Sequence, residues 1–377
     1  KSIMSDEVDE HVTCRFELSQ KLGKGAYGIV WKARDKRSRK VVALKKCFDA
    51  FRNSTDAQRT FREVMYLQAL SGHENIVLLK HVIRAKNDKD IYLAFDFMDT
   101  DLHAVIRSDI LLDVHKRYIA YQALKALKFM HSAELLHRDI KPSNFLIDSS
   151  CNLKLCDFGL CRSVAEPEGP RPVLTDYVAT RWYRSPEVLM GSTKYTKGID
   201  IWSIGCIVGE MMGDRPIFPG NSTMHQIEKI LEVTGKPVGE DIDAMGSPFA
   251  ETMLESININ RDVTLSDICS QASSDAMDFI NQCLQFNPTK RCSAKEALRH
   301  PFVAEFHNPN NEPDYPHGPI QIDVNDNTKL SAADYRERLY SEIQKRREEQ
   351  RERSHKKASK RGTLQNASEC PPEDGVG

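Results

Sequence analysis

Residues 199–212, IDIWSIGCIVGEMM, are apolar on almost every side of a helical wheel, broken only by Asp200 and Glu210. Such a helix cannot lie on a surface; it has to be surrounded. It is also too short to cross a bilayer. The chain must therefore supply further helices to enclose it, and the sequence predicts a large helical lobe built around this segment, with no membrane attachment.

The first hundred residues carry the other periodicity. Residues 29–31 and 40–44 flank the turn-like DKRSRK, and IVLLKHVI and DIYLAFDF flank Asn87-Asp88, so strands dominate there. One helix interrupts them: Ser54 to Asp56 can cap it, Phe61, Val64 and Met65 follow helical spacing, and Ser71-Gly72 ends it. Past Met98, a stripe of Ile119, Ala123, Ala126, Leu127 and Met130 marks a packed helix. The expected class is α+β in two lobes. An extension (1–13) precedes a small sheet-rich lobe (14–95), a connector (96–100) and a helical lobe (101–306). Residues 307–361 form an extension with a charged helix, and 362–377 a polar tail expected to be disordered.

With 53 Lys and Arg against 54 Asp and Glu, the net charge of -1 gives no global field toward nucleic acid or membrane. The basic stretch 345–361 is interleaved with Glu348, Glu349 and Glu352 and has no aromatic platform, so a solvated helix, with a localisation signal as one use, is preferred over specific nucleic-acid binding. Ten cysteines include no CxxC pair, and Cys151, Cys156 and Cys161 read as scattered core thiols rather than metal ligands. A reducing compartment, cytoplasm or nucleus, is expected, and the polar, acidic start of the chain does not resemble a signal peptide.

Four short stretches carry chemistry. Residues 23–30, GKGAYGIV, run into a strand rather than a helix, which places the glycines in a hairpin and argues against a dinucleotide fold. Backbone N–H groups there can approach phosphate oxygens, although an ordinary turn would read the same. In VALKK, Lys45 and Lys46 point to opposite faces of one strand, and Glu63 on the following helix offers Lys45 a carboxylate. In HRDIKPSN (137–144), Asp139 and Asn144 sit on a loop kept from being a simple helix by Pro142. Asp157, after the short strand 153–155, adds a second acid; with Asn144 it offers the oxygen ligands that magnesium prefers.

Taken in order, GKGAYGIV, Lys45, Glu63, HRDIKPSN, Asp157-Phe158-Gly159, Ser185-Pro186-Glu187 and GIDIWSIGC resemble the eukaryotic protein kinases over roughly residues 15–305. The resemblance implies ATP and Mg2+ as cofactors. Asp139 would take the proton of the attacking hydroxyl and Lys141 would steady the transferred phosphoryl. Lys45, paired with Glu63, would grip phosphates, and Asn144 and Asp157 would hold the metal. Leu22, Gly23, Gly25, Gly28, Val30, Ala43, Phe95, Asp96 and Met98 would surround the nucleotide, with Phe95 closing its rear. Asp200 would brace the catalytic loop and Arg291 would pair with Glu187.

LTDYVATRWYRSPE is similar to the activation segment of mitogen-activated protein kinases, with the pair Thr175 and Tyr177, and RPIFPGNSTMHQIEKILE and LSAADYRERLY resemble an atypical group of that family, typified by mitogen-activated protein kinase fifteen. This implies dual phosphorylation, received by Arg62, Arg138 and Arg162 for Thr175 and by Arg181 and Arg184 for Tyr177. It further implies protein substrates with Ser/Thr-Pro sites and a monomer. In HPFVAEFHNPNNEP, Asn308 and Asn311 replace the usual aspartates and leave only Glu312, so the docking site for basic peptides should be weakly acidic and activation autocatalytic. A catalytically dead scaffold is disfavoured by the intact Lys45, Asp139, Asn144 and Asp157, and a cyclin-dependent kinase by QRTFREVMY, where the cyclin-reading helix sequence is absent.

Overall fold

The computed structural model describes residues 8–25, 27–165, 181–194, 196–259, 263–324 and 329–365, the backbone alone for 349–365. Thr175, Tyr177 and Val178 thus lie outside the described residues.

Five strands, β1 (Phe16–Gly25), β2 (Gly28–Asp35), β3 (Val41–Cys47), β4 (Leu79–Arg84) and β5 (Ile91–Asp96), form one antiparallel sheet in the order β1-β2-β3-β5-β4. Alternation decides its faces. Ile29, Trp31 and Ala33 of β2 are buried with Val42, Leu44, Tyr92 and Ala94 on one side. The same cluster includes Val12 of helix α1 (Glu10–Arg15), inside the stretch expected to be a mere extension. Val8, Val12 and Phe16 lie four residues apart and are all buried in this cluster, a stripe masked in the sequence by the polar residues between them.

Helix α2 (Ser54–Ala69) buries Phe61, Val64 and Met65 as expected. Its cap is Asn53, whose side-chain oxygen accepts from the N–H groups of Thr55 and Asp56, rather than any of residues 54–56. In the larger lobe, helix α3 (Asp113–Ser132) buries the predicted stripe, and helix α4 (Gly198–Gly213) buries every residue from 199 to 212. Close packing around α4 depends on its small residues: a Cβ on Gly205 would stand 2.7 Å from the Cβ of Cys283.

The charged extension differs most from expectation. Helix α5 (Ala332–Gln365) is not a solvated rod along its first turns, because Tyr335 and Leu339 are fully buried and Ile343 nearly so. They pack against α2, with the Tyr335 and Phe61 rings 5.8 Å apart. The i, i+4, i+8 spacing of these three residues was the available signal, diluted by the charges between them. The helix also runs to Gln365, past the expected boundary at 362, and the rest of the tail lies outside the described residues.

Candidate active site

Between the lobes lies a cleft of about 490 Å³. Its roof follows from register: Val30 is opposite Lys45, and Ala43 is opposite Phe95, so these side chains share the sheet face away from Trp31. Its floor follows from a short strand pair. Phe145 is opposite Leu155 and the Cys156 N–H donates to the Asn144 carbonyl at 2.9 Å, which sets Asn144 beside Asp157. Leu22, Gly23, Val30, Ala43, Lys45, Glu63, Phe95, Asp96, Met98, Asn144 and Asp157 all line this cleft, as do Val77, Leu146 and Cys156, for which the sequence offered no separate signal.

Two expected residues do not line it. Gly28 (φ 157°) owes its lack of a side chain to the sheet itself, since a Cβ there would fall 2.1 Å from the Lys46 carbonyl oxygen. Gly25 is paired with it at the hairpin end, with open space around the position of its missing Cβ.

Lys45 Nζ stands 3.3 Å from Glu63 Oε1, and that carboxylate holds the ammonium well above its ordinary pKa. Lys46 turns to the other face and meets Asp90 at 3.4 Å. Burial alone would raise the Asp157 carboxyl, but Arg59 and Lys45 outweigh it and keep the group below its usual range. Arg59 was not anticipated. Its Nη2 reaches both Asp157 carboxylate oxygens at 3.3 Å. The spacing that could have found it is plain in retrospect: Arg59 precedes Glu63 by one helical turn, on the same face of α2.

The loop 137–144 is anchored from below. Asp200, fully buried, accepts from the backbone N–H groups of His137 and Arg138, each at 2.9 Å, and contacts the His131 ring at 3.0 Å. Burial would raise its carboxyl; the His131 hydrogen bond keeps it low. These bonds hold Arg138 at φ 69°, a left-handed conformation that costs about 1–2 kcal/mol for a residue with a Cβ. The resulting turn presents Asp139. Lys141 Nζ donates to its Oδ2 at 2.6 Å, and Asn144 Nδ2 donates to its carbonyl at 2.8 Å and to Oδ2 at 3.1 Å. Asp139 and Lys141 line not the large cleft but an adjoining hollow shared with Arg138, Tyr183 and Arg184.

Asn144 spends its Nδ2 on Asp139, so its Oδ1 is the atom it could offer a cation in the cleft. With the ionised Asp157 this makes a donor set of hard oxygens that fits magnesium.

Arg62 is buried on α2, and Arg138 donates to the Leu160 carbonyl at 3.3 Å. Arg162 sits on a short strand opposite Leu136, two residues before Arg138. Arg181 begins a turn that continues to Tyr183, next to Arg184. Arg291 and Glu187 form a fully buried bidentate pair at 2.6 and 2.8 Å, as expected. Glu312, expected as the residual acid of the docking site, is only 3% exposed, held by the His307 ring and the Asn308 N–H at 2.9 Å each.

A family model described as protein kinase domain matches residues 16–303. The chain is 59% identical over 352 residues to extracellular signal-regulated kinase 2 of Dictyostelium discoideum, covering 93% of this chain and 95% of that protein. It is 50% identical to mitogen-activated protein kinase 15 of Caenorhabditis elegans, covering 94% of this chain and 76% of the relative. To the protein of that name from Xenopus laevis it is also 50% identical, over 90% of this chain, but it spans only 59% of that longer protein.

Proposed function

This chain belongs to the protein kinases, and within them to the mitogen-activated protein kinase family of serine/threonine kinases, and from that premise we propose that it transfers the γ-phosphoryl of ATP to Ser or Thr followed by Pro, after phosphorylating its own Thr175 and Tyr177. The observation that carries this reading is the Asp139 carboxylate, fixed by Lys141 and Asn144 at the edge of a cleft whose roof holds the Lys45–Glu63 pair.

Asp139 accepts the proton of the substrate hydroxyl as it attacks, and the Asn144 and Lys141 donors keep one carboxylate oxygen aimed. Lys141, which donates to that acid, turns its ammonium onto the phosphoryl oxygens as they approach. Lys45 grips the α- and β-phosphates, its position set by Glu63 and its charge never in question. The 23–25 backbone closes over the phosphates, and Phe95 walls the base pocket at the rear. Asn144 and Asp157 hold magnesium, which when bound neutralises charge on the phosphate oxygens. Asp157 must part from Arg59 to serve there.

Selectivity for proline is assigned to the stretch 178–184, which resembles the family's segment that selects proline, a residue with no N–H to leave unsatisfied. Self-activation is favoured by the docking surface: Asn308 and Asn311 carry no charge, Glu312 is turned inward and Glu74 beside Asn311 is already paired with Lys125, which weakens the field for the basic peptide of an upstream kinase. Arg62, Arg138 and Arg162 receive the Thr175 phosphate, and Arg181 and Arg184 that of Tyr177.

The test is expression in a host lacking any upstream kinase. Parent chain doubly phosphorylated at Thr175 and Tyr177 and active on a generic Ser/Thr-Pro protein, beside an unmodified Asp139→Asn variant, supports the proposal. An inactive, unmodified parent that a partner kinase switches on refutes self-activation. Failure of that phosphorylated form to turn over would refute the catalytic roles.

A further inference from the structure

Behind the Arg291–Glu187 pair lie two thiols that the kinase chemistry does not use. Cys283 ends the helix Ser274–Cys283 and is fully buried against α4, its Cβ seated where a side chain on Gly205 would otherwise project. Cys292 follows Arg291 and is only partly buried. Its Sγ stands 4.0 Å from the Sγ of Cys283.

A disulfide needs its sulfurs at about 2.05 Å, so the gap to close is about 2 Å. A change of rotamer at one cysteine spans that distance, and Cys292, the less buried of the two, is the one to turn. The chain between them is well held: Arg291 donates to the carbonyls of Gln285 at 2.8 Å, Phe286 at 3.0 Å and Gly198 at 3.0 Å. The two backbones are therefore fixed at a separation that already brings the sulfurs into contact.

The pair is also chemically unequal. The hydrogen bond from Cys283 lowers the pKa of the Cys292 thiol, while burial pushes Cys283 far up. A partly exposed thiol with raised thiolate character beside a shielded second thiol is the arrangement of a redox-sensing cysteine and its resolving partner.

We propose that Cys292 and Cys283 are a peroxide-responsive pair that closes reversibly into a disulfide. The Cys292 thiolate attacks one oxygen of hydrogen peroxide, the O–O bond breaks, and hydroxide leaves and is protonated to water. Cys292 is now a sulfenic acid, oxidised by two electrons. The sulfur of Cys283 then attacks the Cys292 sulfur; the S–O bond breaks and the oxygen leaves as a second water, taking up the Cys283 proton. Two thiols and one peroxide become one disulfide and two waters. The bond would fasten the segment carrying Arg291 to the end of the helix behind it.

The experiment treats the full chain with hydrogen peroxide, blocks remaining thiols, digests and reads peptides by mass spectrometry. Expected is a peptide pair joined through Cys283 and Cys292, two hydrogens lighter than the free peptides together and separated again by dithiothreitol. In Cys283→Ala, Cys292 should instead be trapped as a sulfenic acid by dimedone; in Cys292→Ser, which exchanges a single atom at a partly buried position, Cys283 should stay reduced. A parent chain in which Cys292 accumulates sulfinic acid without a cross-link, or in which both thiols outlast the other cysteines, overturns the proposal. So would Cys283 oxidation undiminished in Cys292→Ser.

Discussion

Arg59 Nη2 lies 3.3 Å from both carboxylate oxygens of Asp157, so a guanidinium of α2 occupies the acid assigned to the metal. Both side chains are 28% exposed, and a contact of that kind is worth at most about 1 kcal/mol. Cation and guanidinium compete for one carboxylate. Arg59→Ala should therefore lower the magnesium concentration for half-maximal activity by about two- to fivefold, measured by titration at saturating nucleotide. An unchanged or raised requirement would show that the contact does not compete.

Asp139→Asn keeps the shape of the side chain and removes its basicity. Turnover should fall by about 10²- to 10⁴-fold, while nucleotide affinity, read by calorimetry, should change little, since Asp139 does not line the large cleft. Activity within twofold of the parent would dismiss Asp139 as the base.

Phe95 is 9% exposed, pairs with Ala43 across the sheet and lines the cleft. Phe95→Gly should admit adenine analogues with bulky rear substituents that the parent excludes, at a stability loss of about 3–5 kcal/mol for the emptied space. Equal inhibition of parent and variant by such analogues would place the barrier elsewhere.

Leu339 is fully buried where α5 meets α2. A carboxylate there would be buried without a partner, so Leu339→Asp should free α5, lowering the thermal midpoint and exposing 332–348 to protease. Loss of kinase activity should accompany it, because α2 carries Glu63. Unchanged proteolysis would mean that the helix is held by other contacts.

His73 is buried against Phe129, 4.6 Å between rings, and accepts the Asn75 N–H at Nδ1. Burial and the nearby Lys125 lower its pKa to about 4 from 6.5. The unfolded chain thus takes up a proton before the folded one does. Stability is full above pH 6.5 and declines as pH falls toward 4, by about 3 kcal/mol in all. Denaturant midpoints across that range should fall in the parent and flatten in His73→Gln; parallel curves would exclude His73 as the cause.

What the sequence disclosed, and what it withheld, follows from the range of the interactions. The helix 199–212 and the strand pairs could be read because hydrophobic periodicity is local, and Asp139, Asn144 and Asp157 because they lie on short stretches whose order is itself informative. Local signals also hid things. The Val8, Val12 and Phe16 stripe and the Tyr335, Leu339 and Ile343 stripe are both drowned by the polar and charged residues around them. Arg59 on Asp157 and Cys283 beside Cys292 are contacts between elements. Composition does not foretell them; only the folded register does.

The packing of Tyr335 on Phe61 has a consequence for how the protein is made. About 270 residues separate the two rings, and at a synthesis rate of about 5–20 residues per second the small lobe waits on the order of 15–50 s for the piece that covers α2. Throughout that interval Phe61 lacks its partner ring. The nascent chain therefore exposes an apolar helix face that a chaperone can hold, and the Glu63 side of the nucleotide cleft gains its backing only once residues 332–343 have been made.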